Sequence, residues 1–367
     1  MVQRPNLQHL MTDTGRGCPF QFGRRSQQRW CVHIEVLLIV CQVLFIVGVT
    51  AECTRVQPYQ IAQAKHADAW TVKKNPVWTL LNEQDKAADI GTVVLRNLAH
   101  AVHEVTDVLV LRSSYDAVVM DVGANVGNES LLFSDIFEGH LVHAFEAQQR
   151  VFGTLRQRLA AHNATGQFQV HFQAAFNVAG QNLTMYAPKV DNWSTTGSGH
   201  AGRLRSKDMA INTVTTTRLD SWCAARHTAP VFAKIDTAGS ELFVLESMNG
   251  LLEKGRIAAF TFEYNGQLWR AASRKFEVGI PRVRTTRDAA SRLFDAVHFV
   301  KAHGYEAFAL SPTALLPLTS CWLAEYDRWL FTANIVVIHK DLAARIHSGF
   351  SRISSGVIKE NVISELA

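Results

Sequence analysis

Among the six cysteines, Cys18, Cys31, Cys41, Cys53, Cys223 and Cys321, there is no C-x-x-C pair and no Cys/His cluster at zinc-ligand spacing. The pattern argues against a zinc centre, and no metal is assigned. One disulfide in an oxidising compartment is compatible with it, with Cys223–Cys321 a candidate pair and Cys53 left over. The net charge is only +5, and no block of five or six basic residues occurs. The electrostatic footprint of a nucleic-acid binder is therefore missing, and no nucleic-acid partner is expected. There is no internal repeat. Charged residues make up 19% against 47% hydrophobic ones, which describes a globular protein that can bury a real core.

Residues 36–51 form an uncharged run, V-L-L-I-V-C-Q-V-L-F-I-V-G-V-T-A. At 16 residues the run is short for a spanning helix, which needs about 20. Arg4, Arg16, Arg24, Arg25 and Arg29 precede it against only Asp13 and Glu35. That asymmetry predicts an inside N-terminal tail (1–35), a signal anchor (36–51) and a stem with a helical lead-in (52–115). The expected product is a single-pass type II membrane protein of the ER or Golgi, held by one N-terminal helix with its main domain lumenal. Small residues at Val49-Thr50-Ala51 leave open cleavage and secretion, and a buried core helix is a third reading. Sequons at Asn128, Asn163, Asn182 and Asn192 fit a lumenal domain. Asn128 is expected to be too buried for modification.

The densest chemistry begins at Val118. An apolar run, Ala117–Met120, leads to Asp121 and then to the turn G-A-N-V-G, Gly123–Gly127. This is neither a P-loop, since no Lys-Ser/Thr follows, nor the three-glycine dinucleotide fingerprint. It still fits a buried parallel strand opening into a turn where backbone can approach a ligand. Leu141–Glu146 (L-V-H-A-F-E) ends on a carboxylate 23 residues after Gly123. In a βαβ fold that position accepts ribose hydroxyls. Pro230–Asp236 and Arg256–Glu263 are two further apolar runs closing on acids. The four strand ends converge where open α/β sheets bind ligands.

These pieces resemble the FkbM-type S-adenosylmethionine-dependent methyltransferases. The matching segments are D-V-G-A-N-V-G (Asp121–Gly127), A-F-E (Ala144–Glu146), T-T-R-L-D-S-W (Thr216–Trp222), K-I-D-T-A-G-S-E (Lys234–Glu241) and F-T-F-E (Phe260–Glu263), within a span of roughly Asp116 to Ile338. The resemblance implies a Rossmann-like class I methyltransferase fold, doubly wound and mostly parallel with an antiparallel edge strand, over residues 116–340. It implies S-adenosyl-L-methionine as cofactor, with Asp121, Gly123, Ala124, Asn125 and Gly127 around its methionine end and Glu146 on the ribose. Gln173 and Ala174 would lie near adenine. Asp236 would stand at the methyl group as cofactor contact and proton acceptor, with Glu263 a second catalytic candidate beside Tyr264 and Asn265. The implied activity is methyl transfer, and the expected lumenal position makes O-methylation of a glycan or secreted-metabolite hydroxyl, a small-molecule or glycan acceptor, the natural reading.

Two departures stand out. Ala238 occupies a position where the family carries an acid, and Ala147 replaces a proline after A-F-E. The first keeps open a catalytically inactive interaction protein. A nicotinamide-dependent oxidoreductase is a further alternative, since Glu146 would also suit a dinucleotide ribose. Glu241 opens a helix, where an acid complements the dipole.

The rest of the chain fits around this frame. Asp89–Leu111 carries apolar residues at helical spacing. Helices at Asn128–Phe137 and Arg150–His162 alternate with strands, the next at Phe168–Ala174. Leu183–Ala187 and Ile211–Thr217 read as an antiparallel pair. They flank a Gly/Ser/Thr-rich loop, 191–202, whose Trp193 and His200 are candidate substrate contacts. Arg270–Arg287 is a basic connector or a loop favouring anions. A helix at Asp288–His303, strands at Tyr305–Leu310 and Trp329–His339 in a final edge hairpin, and a motif-free tail (341–367) complete the chain.

Overall fold

A computed structural model describes residues 88–110, 114–162, 166–188, 209–275, 278–281, 292–310, 315–320, 322 and 332–366. The expected tail, anchor and most of the stem lie outside these residues, as do Trp193, His200, Asn163, Asn192, Cys321 and Arg282, Arg284 and Arg287. Among the described residues no helix is long and apolar enough to cross a membrane.

Helix α1 (Ala88–Val110) precedes an alternating core: β1 (Asp116–Val122), α2 (Asn128–Ile136), β2 (Leu141–Glu146), α3 (Gln149–His162) and β3 (Phe168–Phe172). Three strands of a small sheet follow: β4 (Ala174–Ala175), β5 (Asn182–Pro188) and β6 (Met209–Thr217). The core resumes with α4 (Leu219–Arg226), β7 (Thr228–Ile235), α5 (Glu241–Ser247), α6 (Asn249–Glu253), β8 (Ala259–Asn265) and α7 (Gly266–Lys275). It closes with α8 (Leu293–Ala302), β9 (Tyr305–Leu310), β10 (Leu315–Pro317), β11 (Thr332–His339) and α9 (Lys340–Leu366).

The main sheet runs β10-β9-β11-β8-β7-β1-β2-β3. β3, β2, β1, β7 and β8 are mutually parallel. The order reverses direction from β1, the switch point where such sheets bind ligands. β11 runs antiparallel between β8 and β9. Of the two strands reversed against the parallel set, β11 lies inside the sheet and β10 forms its edge, antiparallel to β9. β1 is buried from Val118 to Val122 without alternation, as a strand covered on both faces must be.

Alternate residues feed two apolar layers. On one face Val118, Met120, Val122 and Ile235 pack with α4, α5, α6 and α8. On the other, Val119, Val142, Ala144 and Phe232 pack with α1, α2, α3 and α9. α1 contributes Val94, Leu98, Val102 and Val105, one stripe at helical spacing. The segment read as a tail is instead the long helix α9, which places Leu342, Ala343, Ile346 and Phe350 in the same layer. Asn97 Nδ2 donates to Ser354 Oγ, and Arg352 pairs with Glu104, tying α9 to α1.

Cys223 is a free thiol in the core, so the Cys223–Cys321 pairing is not formed. Its burial pushes the thiol up to about 12. His143 and His171, 3.1 Å apart, are held down to about 3 and about 4, chiefly by burial.

Candidate active site

The turn after β1 is built by positive φ angles at Gly123 (84°), Asn125 (50°) and Gly127 (86°). Asn is among the few side chains that tolerate this region. At Gly123 a Cβ would collide with the Asp236 carbonyl, so the β1 and β7 loops touch backbone to backbone. Gly123 and Ala124 donate their N–H groups to the Phe145 carbonyl at 2.9 Å, and Asp236 N–H reaches Val122 O at 2.8 Å. Three strand ends are locked together by these bonds.

Glu146 ends β2, 3% exposed. Its Oε2 accepts Asn125 N–H at 2.9 Å and its Oε1 accepts Gln148 N–H at 2.7 Å. Burial outweighs these donors and pushes the carboxyl up to about 7. Ala147 N–H is a third backbone donor, so three of the four lone-pair sites of the carboxylate are met and one is left for a ligand.

On one side of Glu146 lies a niche lined by Phe145, Gln173, Ala174, Phe176, Leu183 and Met185. On the other is a polar cleft lined by Gly123, Asn125, Asn128, Glu129, Lys234 and Asp236. Of the residues expected from sequence, Gly123, Asn125, Glu146, Gln173, Ala174 and Asp236 therefore line connected walls. Asp121 and Ala124 are fully buried behind the turn, and Gly127 packs against Leu155 and Leu159 at the start of α2. Asp121 accepts Ser130 Oγ–H at 2.6 Å. Burial pushes it up to about 6 against the opposing pull of Lys234. Asn128 is exposed at the lip of the cleft, contrary to the expectation that its turn buries it, and Asn182 on β5 is exposed as well.

Asp236 follows β7 with 42% of its side chain exposed. Lys234 Nζ lies 3.2 Å from Asp236 Oδ2 and 3.9 Å from Glu129 Oε2. Burial alone would lower the Lys234 ammonium, but Asp236, Glu129 and Asp121 outweigh it and hold the group above the ordinary lysine value. Glu263 hydrogen-bonds Asp236 and is pushed up to about 9, first by burial and then by Asp236 and Glu241. It is a neutral acid at physiological pH. Asp236, Glu241 and Glu263 all bring an oxygen within 4.8 Å of one another. The three are not equivalent, however. Glu241 accepts the N–H groups of Thr237 and Gly239, the Thr237 hydroxyl and the Trp269 indole N–H. It braces the Thr237–Gly239 loop more than it offers oxygens to a ligand.

The sequence reading missed three contributors. Lys234 sits two residues before Asp236 on the same strand face, a period-2 signal that was available. The Glu241 brace and the Leu183/Met185 wall depend on contacts made only after folding. β5 pairs with β6 across the intervening segment, and Asn212 Nδ2 donates to Ala147 O at 3.2 Å. Those contacts carry the hairpin to the niche.

The sequence pattern of the Methyltransferase FkbM domain matches residues 121–306, just over half of the chain. The chain belongs to the FkbM methyltransferase family. The FkbM domain is that of an S-adenosyl-L-methionine-dependent methyltransferase, and the nicotinamide alternative falls with this assignment. No curated protein matches significantly. Solved structures similar to the chain include a precorrin-6y C5,15-methyltransferase from Geobacter metallireducens (15% identity, 64% of this chain and 87% of that one, TM-score 0.29). They also include an rRNA methylase from Streptococcus thermophilus (10%, 66% and 94%, TM-score 0.33). A third is cofactor-bound Rv0187 from MTB (11%, 69% and 80%, TM-score 0.34).

The residues present fit the family's cofactor. A buried carboxylate at the end of β2, with acceptor capacity left beyond its backbone donors, matches a ribose hydroxyl. The niche beside it is apolar enough for a base, and the far cleft has paired charges for an amino-acid end.

Proposed function

We propose that this FkbM methyltransferase is an O-methyltransferase that acts on a hydroxyl of a glycan or a secreted metabolite. The observation that carries the reading is Asp236. It is a half-exposed carboxylate at the cleft, paired with an ammonium and backed by a neutral carboxyl. A hydroxyl placed against Asp236 can pass its proton there as its oxygen becomes nucleophilic, the role of a positioned general base. When bound, S-adenosylmethionine supplies an electrophilic methyl group. Glu146 would hold the ribose hydroxyls, Gln173 and Ala174 with Leu183 and Met185 the adenine side. Gly123, Asn125 and the residues behind them, Asp121, Ala124 and Gly127, would shape the methionine end. Fixing reactants in line supplies much of the acceleration in such a displacement.

For the setting of the enzyme, the uncharged run 36–51 and the arginines before it support a type II anchor with the catalytic domain in the lumen of the ER or Golgi. A lumenal address makes glycans and secreted metabolites the natural acceptors.

The test incubates the full-length chain with methyl-labelled S-adenosylmethionine and a panel of hydroxyl acceptors, neutral glycans first. Label in an alkali-stable ether supports the reading. Label in an alkali-labile ester would assign a carboxylate acceptor instead. Cofactor binding without transfer to any acceptor would favour the inactive scaffold that Ala238 raises; this residue sits at φ 50°, beside Gly239 at 110°.

A further inference from the structure

Three neighbouring strands bring ionisable groups to one face of the sheet. Asp121 on β1 is the register partner of Lys234 on β7, and Lys234 is that of Thr261 on β8. With a period of two, Asp236 and Glu263 continue the same rows toward the carboxyl ends. The groups facing Asp236 are Lys234 from its own strand, Glu263 from β8, Glu241 from α5 and Asp121 from β1, while Glu129 from α2 faces Lys234.

Two carboxyls in hydrogen-bond contact do not both ionise, so the Asp236/Glu263 pair holds one proton and one negative charge. What decides where the charge sits is asymmetric contact. The Lys234 side chain, only 12% exposed, brings its ammonium to 3.2 Å from Asp236. Its second contact is Glu129 at 3.9 Å, not Glu263. Asp236 also faces solvent while Glu263 does not line the cleft.

We propose that Lys234 is the positioning residue of the proton acceptor: its buried ammonium fixes the negative charge of the carboxyl pair on Asp236, at the cleft, and leaves the pair's proton on Glu263. Without that ammonium the charge is no longer tied to the cleft side, and Asp236 enters the reaction partly protonated, unable to take a hydroxyl proton. The inference rests on Asp236 as proton acceptor, but its consequence exists in the protein before any cofactor or acceptor is added.

The experiment is a pH titration of the full-length chain, free of cofactor, carrying carbon-13 carboxyl labels in Asp and Glu and read by NMR. Asp236→Asn and Glu263→Gln assign the two signals. Lys234→Met is expected to move the Asp236 titration to higher pH by one unit or more, a tenfold gain in proton affinity, while Lys234→Arg restores it. A packing role for Lys234 would change thermal stability and leave the titration in place. An Asp236 titration identical in wild type and Lys234→Met overturns the proposal.

Should Lys234→Met not fold, the wild-type chain carries the test through its Lys234 nitrogen-15 Nζ signal, assigned by its loss in Lys234→Arg. That signal must follow the titration of Asp236, and a signal that follows Glu263 or neither overturns the proposal equally. Failure of Asp236 as the base is a separate result, read as full methyl transfer by Asp236→Asn.

Discussion

At the β2 end of the cleft, Glu146 is 3% exposed and meets only backbone N–H groups, those of Asn125, Ala147 and Gln148. At the β7 end, Asp236 has 42% of its side chain exposed and meets an ammonium and a second carboxyl. Burial works against the charge of Glu146 and only backbone N–H groups support it, so a ligand that donates to it favours its ionisation. Asp236 has its counter-charge built in. The first arrangement suits a group that recognises a ligand, and the second a group that must be ready before the ligand arrives.

The sharpest way to separate the two ends is to remove one carboxylate at a time. Asp236→Asn should lower methyl transfer by about 10²–10⁴-fold, the range for loss of a general base, a larger loss than the one it causes in cofactor affinity by calorimetry. Full turnover in that variant would remove Asp236 from the chemistry. Glu146→Ala should do the reverse. Losing charge-assisted hydrogen bonds of about 1.5–3 kcal/mol weakens cofactor binding by roughly 10–100-fold. Unchanged affinity would sink the ribose assignment.

Acidity divides the ends more gently. Glu146 is held above its unfolded value of 4.5, at about 7. A raised carboxyl contributes its stability fully below the unfolded value and loses it as pH climbs to the folded one, so the cofactor-free domain weakens across that window. Ligand hydroxyls favour the ionised form, so cofactor affinity should move the other way, rising about tenfold from pH 6 to pH 8. A flat profile in calorimetry would mean that Glu146 is already ionised in the free protein. The smallest effect concerns the loop between the ends. Ala238 holds φ 50°, a conformation costing a non-glycine residue roughly 1–2 kcal/mol. Ala238→Gly should raise stability by about 0.5–1 kcal/mol after the entropy lost to glycine, read as a higher Tm. A lower Tm would show that the Ala238 methyl packs usefully.

Much of this was legible before any coordinates. The acids at Asp121, Glu146, Asp236 and Glu263 announce themselves because a parallel strand buried on both faces is a mainly apolar run, and an acid at or near its carboxyl end stands out against it. Other features carry no such local mark. The reversed strand β11 enters between β8 and β9, and nothing in T-A-N-I-V-V-I-H distinguishes an inner strand from an edge. Helix α9 has apolar residues at helical spacing, yet its role emerges only against α1, some 250 residues away in sequence. The wall made by Leu183 and Met185 is likewise a product of pairing with β6. Strand termini are encoded locally, whereas the partners that complete a site depend on pairing between segments distant in the chain.

The pairing of α1 with α9 has a consequence for how the polypeptide could be strung. Asn97 meets Ser354, and Ala101 lies against Gly349. The two helices therefore run in opposite directions, and the start of the first lies near the finish of the last. Neighbouring ends of this kind are what circular permutation requires. A chain cut to residues 88–366, whose α9 is joined to α1 by a short linker and whose new termini open at an exposed turn such as Val178–Gly180, would keep every strand neighbour of the main sheet.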